Sequence, residues 1–414
     1  MKLTTFLAAG AFALSLAGTG IAQTKIYITG SSAFRSATHT AVDTLLAGSG
    51  TIVKASDNAN FGSANAVSWT GGSVGGQPVT IKTSWSGSAA GIQTVAGALP
   101  VRFLPDGATG TANTDPRNAA NPAETATPDI AFADNYQSST VFNGTFNNVA
   151  YQPLTDNIVG VVTFRWIASN GFPAGQTVTT QLAQYLFGSG SIPLALFTGL
   201  PADHNKVVFA TGRDPDSGTR ITTFAESGIG VFSIVKQFQP TTFADDPAVT
   251  GVDTSIVSAQ RLYPVQTING VSTQFPGNSG ESSGSTLRGF TNKTLAASVY
   301  DPDGVGNTAG YYVTYMGTSD ASTVLAASVK PAVPLRYNGV DFSTTAVQEG
   351  QYTFWGYQHL MYRAGLSGAK LTFATSLRTT IVNTSAATLA PNVKLSDMQV
   401  SRTSDGGQVA ADYF

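Results

Sequence analysis

The chain contains no cysteine. Disulfides, thiolate metal sites, cysteine nucleophiles and a lipid-modified N-terminal cysteine are excluded together. Charge is scarce as well: Asp, Glu, Lys and Arg make up 11% of 414 residues, against about 25% in an average soluble domain. With a formal net charge of −2, nothing suggests a broad nucleic-acid face or a polybasic membrane contact. The histidines, His39, His204 and His359, are scattered without HxxxH or HExxH spacing. They read as helix-surface, loop and partly buried residues, so no metal centre and no cofactor are expected. No GxSxG elbow frames a serine, and "DPDG" at Asp301 to Gly304 lacks the remaining ligands of a calcium loop. Beyond the N-terminus no apolar run is long enough to cross a bilayer as a helix.

What is present is apolar enough to fold. Hydrophobic residues reach 42% and aromatics 10%, too many for a disordered chain, and the length suffices for two lobes. The opening "MKLTTFLAAGAFALSLAGTGIAQ" pairs Lys2 with an apolar run and small residues up to Ala22. It reads as a secretory signal peptide over 1–22, cleaved after Ala22, which sends the protein to the periplasm or beyond.

One pattern recurs in the mature chain. In "KIYITGSSAFRSATHTAVDTLLAG" a β-branched run is broken by Gly30-Ser31-Ser32. Phe34, Ala37, Ala41, Val42, Leu45 and Leu46 then follow at helical spacing, with a serine placed to cap the helix. "VTIKTSWSGSAAGIQTVAGAL" and "KVVFATGRDPDSGTRITTFAES" repeat the order strand, small polar turn, helix. This is the unit of an α/β fold with ligand sites at strand C-terminal ends. "DIAFADN" is a buried strand ending in an acid, and "NIVGVVTFRWIAS" a long strand suited to crossing between lobes. "QLAQYLFGSG" is a helix stopped by glycine, and "AGYYVTYMG" and "QYTFWGYQHLMYRAG" are aromatic strands, the latter read as core or hinge packing. Pro105 to Pro128 reads as a surface insertion, and the tail from "LTFATSLRTT" onward gives no clear assignment. Phe414 matches the last residue of outer-membrane barrels, but the helical stretches oppose a barrel.

Helix starts carry unpaired N–H groups and a partial positive charge. Three of them after strands could converge on one oxyanion without a strongly positive field. Read in order, "ITGSSAF", "SGSAAGIQTV", "IAFADN", "YLFGSG" and "GRDPDSGT" resemble the phosphate-binding proteins of bacterial ABC uptake systems. The resemblance extends to "GNSGESSGSTLRGF", "AGYYVTYMG" and the "LRYNGVDFS … QYTFWGYQHL" tail, and so covers most of the mature chain.

The resemblance implies a two-lobed type II periplasmic binding protein fold, α/β in class, with hinge crossings and a ligand cleft between lobes. The first lobe would span 23–160, the second 161–334, and 335–414 would return to the first. It implies that Ala33 and Phe34 offer backbone N–H groups. The family has threonine where Ala33 stands, so Ser32 is the hydroxyl expected to substitute. It further implies that Ser88 donates and Asp134 accepts, and that Arg213, Ser217, Gly218 and Thr219 form the second-lobe phosphate loop. The family's acid two residues before that serine is Pro215 here, flanked by Asp214 and Asp216.

An ionised carboxylate only accepts hydrogen bonds. Asp134 therefore suits a protonated phosphate and opposes sulfate, where a buried unpaired acceptor costs about 1–3 kcal/mol, tenfold or more in affinity. Arg213 can offer two parallel N–H bonds, a geometry lysine lacks. The expected partners are inorganic phosphate and an ABC permease, with no enzymatic turnover. The alternatives are a binder of sulfate, molybdate or another oxyanion, and a secreted surface or matrix protein reusing the fold. A hydrolase would need a metal cluster or activated nucleophile that the sequence does not offer.

Overall fold

The computed structural model describes residues 23–250, 254–384 and 392–412. The expected signal peptide and Phe414 lie outside the described residues.

Two sheets share one strand. The first is built on β1 (Thr24–Gly30), β2 (Val53–Ser56), β3 (Ala66–Val74), β4 (Gln77–Trp85) and β5 (Ile130–Ala133). β6 (Leu154–Ala168) is the shared strand, and β7 (Ser191–Pro193), β8 (Lys206–Ala210), β9 (Ala309–Gly317) and β10 (Val333–Tyr337) belong to the second sheet. β11 (Trp355–Arg363) closes the first. The strand order across the molecule is β7-β8-β9-β6-β11-β5-β1-β4-β3-β2, with β10 also pairing β6. β1 runs parallel to both β4 and β5, and β8 parallel to β9; the pairs of β6 with β11, β9 and β10 are antiparallel.

β6 changes partner along its length. Leu154 to Thr163 pair with β11, and Phe164 to Ala168 with β9. At about 3.3 Å per residue its 15 residues reach about 50 Å, enough to run through both halves, as the long apolar run predicts. The chain returns to the first sheet at Trp355, later than the expected 335, because Val333–Tyr337 still pairs with β6 in the second sheet. One apolar core passes through the junction, with Trp166, Phe187, Phe224, Tyr315, Phe354 and Trp355 buried in it. Trp166 stacks on Phe354 at 5.6 Å. The aromatic run around β11 is thus core, as expected.

Helices follow the strands as the spacing predicts: α1 (Arg35–Leu46), α2 (Ser88–Ala96), α3 (Thr180–Ser189) and α4 (Gly218–Glu226). Gly190 ends α3 at φ 88°, a conformation that favours glycine. Further along come α5 (Gly284–Thr291), α6 (Thr318–Leu325) and α7 (Gly368–Asn383). The last is the stretch the sequence leaves unassigned. Its helix is made by tertiary packing, since Phe373, Ala374, Leu377 and Ile381 are buried and the helix lies against α1.

Two local expectations fail. The N-cap of α1 is Phe34, with no side-chain cap, because Ser31 Oγ instead accepts the Ala33 N–H at 3.1 Å. His39 is buried rather than on the helix surface: its ring bonds the Phe61 carbonyl at 2.8 Å and the Trp85 indole N–H at 2.8 Å. Burial pushes its pKa down to about 3, so it is neutral. His204 is exposed in its loop, and His359 is fully buried against Asp156.

The Pro105–Pro128 stretch lies on the surface but is pinned from beneath. Lys82, buried in β4, donates to the Leu104 carbonyl at 2.8 Å, to Asp106 at 2.7 Å and to Glu124. Lys25 and the Tyr27 hydroxyl reach the same Glu124 carboxylate at 2.7 Å. From inside the stretch, Arg117 Nη1 donates to the Trp85 carbonyl at 2.7 Å, at the end of β4. Among the described residues no helix is long and apolar enough to cross a membrane.

Candidate functional site

The register of the first sheet brings three loops to one edge. Gly30 stands beside Trp85 of β4 and Phe132 of β5, so Ser31–Phe34, Ser86–Ser88 and Asp134 all begin at the same level. Only glycine fits at position 30: φ is 120°, and a Cβ would fall on the Phe132 main chain. In the second sheet β8 ends at Ala210 beside Val313 and leads through Thr211–Ser217 into α4. The two edges meet. A Cβ on Gly218, the first residue of α4, would fall on Ser88 Oγ and lie 3.0 Å from Asp134 Cβ. Thr222 Oγ1, one turn on, donates to the Asp134 carbonyl at 2.9 Å.

Asp134 is 2% exposed. Its N–H donates to Ser88 Oγ at 3.1 Å, leaving that hydroxyl's own proton for another acceptor. Its Oδ1 is buried without a hydrogen-bond partner among the described residues. Burial raises its pKa to about 6, against the Ser31 hydroxyl, the Arg213 charge and the Ser88 hydroxyl, which favour the charged form. A buried carboxylate oxygen that is short of a donor is a demand for a proton from a ligand or solvent.

The other residues singled out in the sequence divide. Ser32 is exposed, whereas Ser31 is buried beside Asp134; the nearby hydroxyl is one position earlier than expected. The Ala33 N–H is already used by Ser31 Oγ. Phe34 is buried, and its N–H has no protein acceptor among the described residues. Ser217 caps α4, its Oγ accepting the Arg220 N–H at 3.3 Å. The N–H groups of Gly218 and Thr219 lie in the first turn and make no protein hydrogen bond among the described residues, so this helix start keeps free donors. Arg213 is 8% exposed. Its Nε donates to the Glu281 carbonyl at 3.0 Å and its Nη2 to the Ser282 carbonyl at 2.9 Å.

Those two carbonyls, from the loop before α5, hold the guanidinium at the place where the sequence resemblance leads us to expect an acid. Neither aspartate beside Pro215 pairs directly with Arg213 among the described residues. Asp214 Oδ1 accepts the Asp216 N–H at 3.1 Å. Asp216 reaches the other half: its carbonyl accepts the Ala89 N–H at 3.2 Å, and its Oδ1 the Ala90 N–H at 2.5 Å. Burial, and then the Asp214 charge, raise its pKa to about 7. At α2, therefore, the start offers an incoming ligand Ser88 but not the next two N–H groups.

Sequence reasoning missed Ser31, Asp216, Thr222 and the 281–282 carbonyls. Ser31 sits next to the residue chosen, and its exposure depends on how the chain leaves β1. The contacts of Asp216 and Thr222 cross between halves and leave no local signal. Chemically, the arrangement offers hydroxyl, backbone and guanidinium donors around one acceptor carboxylate. No group of three or more His, Asp or Glu among the described residues is placed to hold a metal ion.

No protein-family model matches the chain, and no curated protein matches it. Among solved structures the chain is similar to an ABC-type phosphate transport receptor from Vibrio cholerae, at 10% identity over 86% of this chain and 93% of that one, with a TM-score of 0.44. A putative phosphate ABC transporter substrate-binding protein with bound phosphate from Clostridium perfringens is similar at 10% identity, 88% and 95% coverage and a TM-score of 0.42. A possible phosphate-binding protein from Planctomyces limnophilus is similar at 12% identity, 90% and 93% coverage and a TM-score of 0.40.

Proposed function

We propose that the cleft between the two halves binds inorganic phosphate and that the protein captures it without transforming it. The observation that carries this reading is Asp134: a buried carboxylate with one oxygen unpartnered, beside the Ser31 and Ser88 hydroxyls and against the first turn of α4. The ligand seat takes the free N–H groups of Phe34, Ser88, Gly218 and Thr219, the Ser88 and Thr219 hydroxyls, and the guanidinium of Arg213. Asp134 accepts the proton of HPO4(2−) or H2PO4(−). Sulfate, with no proton at neutral pH, leaves that acceptor facing like charge.

The protein would work in the periplasm or outside the cell after export, and would deliver phosphate to an ABC permease. Its halves would hinge where β6 changes partner, between Thr163 and Phe164, and where the chain returns before Trp355. Isothermal calorimetry tests the reading with phosphate and sulfate on wild type and Asp134→Asn. Phosphate is expected to bind at least tenfold tighter than sulfate, and the variant to narrow that gap. Equal affinities in the wild type, or no binding of either anion, would overturn it.

A further inference from the structure

We propose that Asp216 is a cap supplied across the cleft: its carboxyl group and carbonyl, from the second half, sit on the N-terminus of α2 in the first half and hold the cleft closed without a bound ligand. The geometry is that of an N-cap supplied from across the cleft. Two successive N–H groups of α2, Ala89 and Ala90, go to the carbonyl and carboxylate of this one residue. The residue that would ordinarily cap the helix, Gly87, has no side chain to do so. The contact also depends on that glycine, because a Cβ there would fall on the Asp216 carboxylate. Gly87 itself has φ 167°, an extended conformation open to any residue. The space is therefore reserved for Asp216 and not for the backbone.

Other contacts make the same crossing nearby. Gln93 Nε2, on α2, donates to the Asn269 carbonyl at 2.8 Å, and Asn147 Nδ2 to the Gly270 carbonyl at 3.2 Å. Residues 269 and 270 form the turn of a short hairpin in the second half. At its far end α4 is held as well. Arg402, from the C-terminal segment, pairs with Glu226 at 2.7 Å and donates to the Thr353 carbonyl at 2.7 Å. Asp405 of that segment accepts the Tyr136 N–H of the first half at 2.8 Å. The helix that follows the second-half loop is thus held at both ends, by Asp216 just before its start and by Glu226 at its end.

Small-angle scattering of the mature chain tests this. A compact chain of this length has a radius of gyration of about 21–22 Å. Ligand-free wild type is expected at that value and unchanged by added phosphate. Asp216→Ala removes the carboxylate, and Gly87→Ala displaces it while leaving Asp216 in the sequence. Both ligand-free variants are expected to be expanded relative to wild type. Two results would overturn the tie: ligand-free variants that scatter like wild type, or a wild type that is itself expanded and contracts on phosphate. The ligand-free comparison decides the tie whether or not phosphate binds. Contraction of the variants on adding phosphate would bear separately on the function proposed above.

Discussion

Arg213 Nη2 lies 2.9 Å from the carbonyl of Ser282. With the Nε bond to the adjacent Glu281 carbonyl, this fixes the guanidinium plane by main chain and leaves Nη1 without a protein partner among the described residues. Arg213→Ala should weaken phosphate binding tenfold or more by calorimetry. Arg213→Lys should lose nearly as much, because an ammonium cannot satisfy both carbonyls and still present a donor in a fixed direction. Wild-type affinity in the lysine variant would show that the charge acts without the orientation.

Ser31 and Ser32 are adjacent but unequal. Ser31→Ala removes a buried hydroxyl beside Asp134 and strands the Ala33 N–H, so phosphate affinity should fall about tenfold. Ser32→Ala alters an exposed side chain and should leave affinity within about twofold. The reverse pattern would return the site to the hydroxyl expected from the sequence.

Stability should carry a pH signature of Asp134. Its pKa rises from 3.8 to about 6 on folding. The folded state then holds the proton more tightly, so the contribution is full below pH 3.8 and is lost as pH rises through about 6. Asp216 acts in the same sense, up to about 7. His39, lowered to about 3, acts oppositely: its contribution is present above 6.5 and lost as pH falls toward 3. Comparing variants removes that overlap. Asp134→Asn should gain on wild type by up to about 3 kcal/mol between pH 4 and pH 7 in urea titrations. A difference independent of pH would mean that Asp134 ionises normally.

Lys82 should matter to the fold and to the surface stretch above it. Its side chain is 2% exposed and reaches Asp106 and Glu124. Asp106 is held at about pKa 2, chiefly by its hydrogen bonds to Lys25 and Lys82. Lys82→Ala would remove the buried end of this network and leave the Leu104 carbonyl without its donor, at a cost of about 1–3 kcal/mol. It should lower the urea midpoint and expose Arg102 and Arg117 to trypsin. An unchanged digestion pattern would mean that the stretch is held by its own loop contacts.

Strand–turn–helix units were legible because each signal is local. "KIYITG", "TIKTSW" and "KVVFA" are β-rich runs next to small residues, and the helices after them bury one face. The long strand β6 was legible from its uninterrupted apolar run. The hairpin partners β2 and β3 were not, since "VKAS" and "AVSWTGGSV" are short or glycine-broken and gain their register from β4. Nor was α7, whose helicity comes from packing on α1. Ser88, Asp134, Arg213 and the 217–219 turn were singled out through the resemblance of their ordered motifs, and they lie along the meeting edges of the two sheets. The tie through Asp216 was not legible. An acid before a helix start reads as turn chemistry, and its partner is more than a hundred residues away.

The changeover in β6 has a consequence for how the chain acquires its structure. Asn157 bonds the Leu360 carbonyl across 203 residues of sequence. The second sheet is not complete until Val333–Tyr337 has been made, nor the first until Trp355–Arg363 is laid alongside the middle strand. Non-local pairings of this kind slow folding and leave strand edges open to wrong partners in the meantime. A chain cut near residue 163 would therefore yield two fragments that each lack an interior strand or half of one, not two small proteins. The molecule has two halves in space, but the first of them must wait for residues 355–363, made after the whole of the second, before its sheet can close.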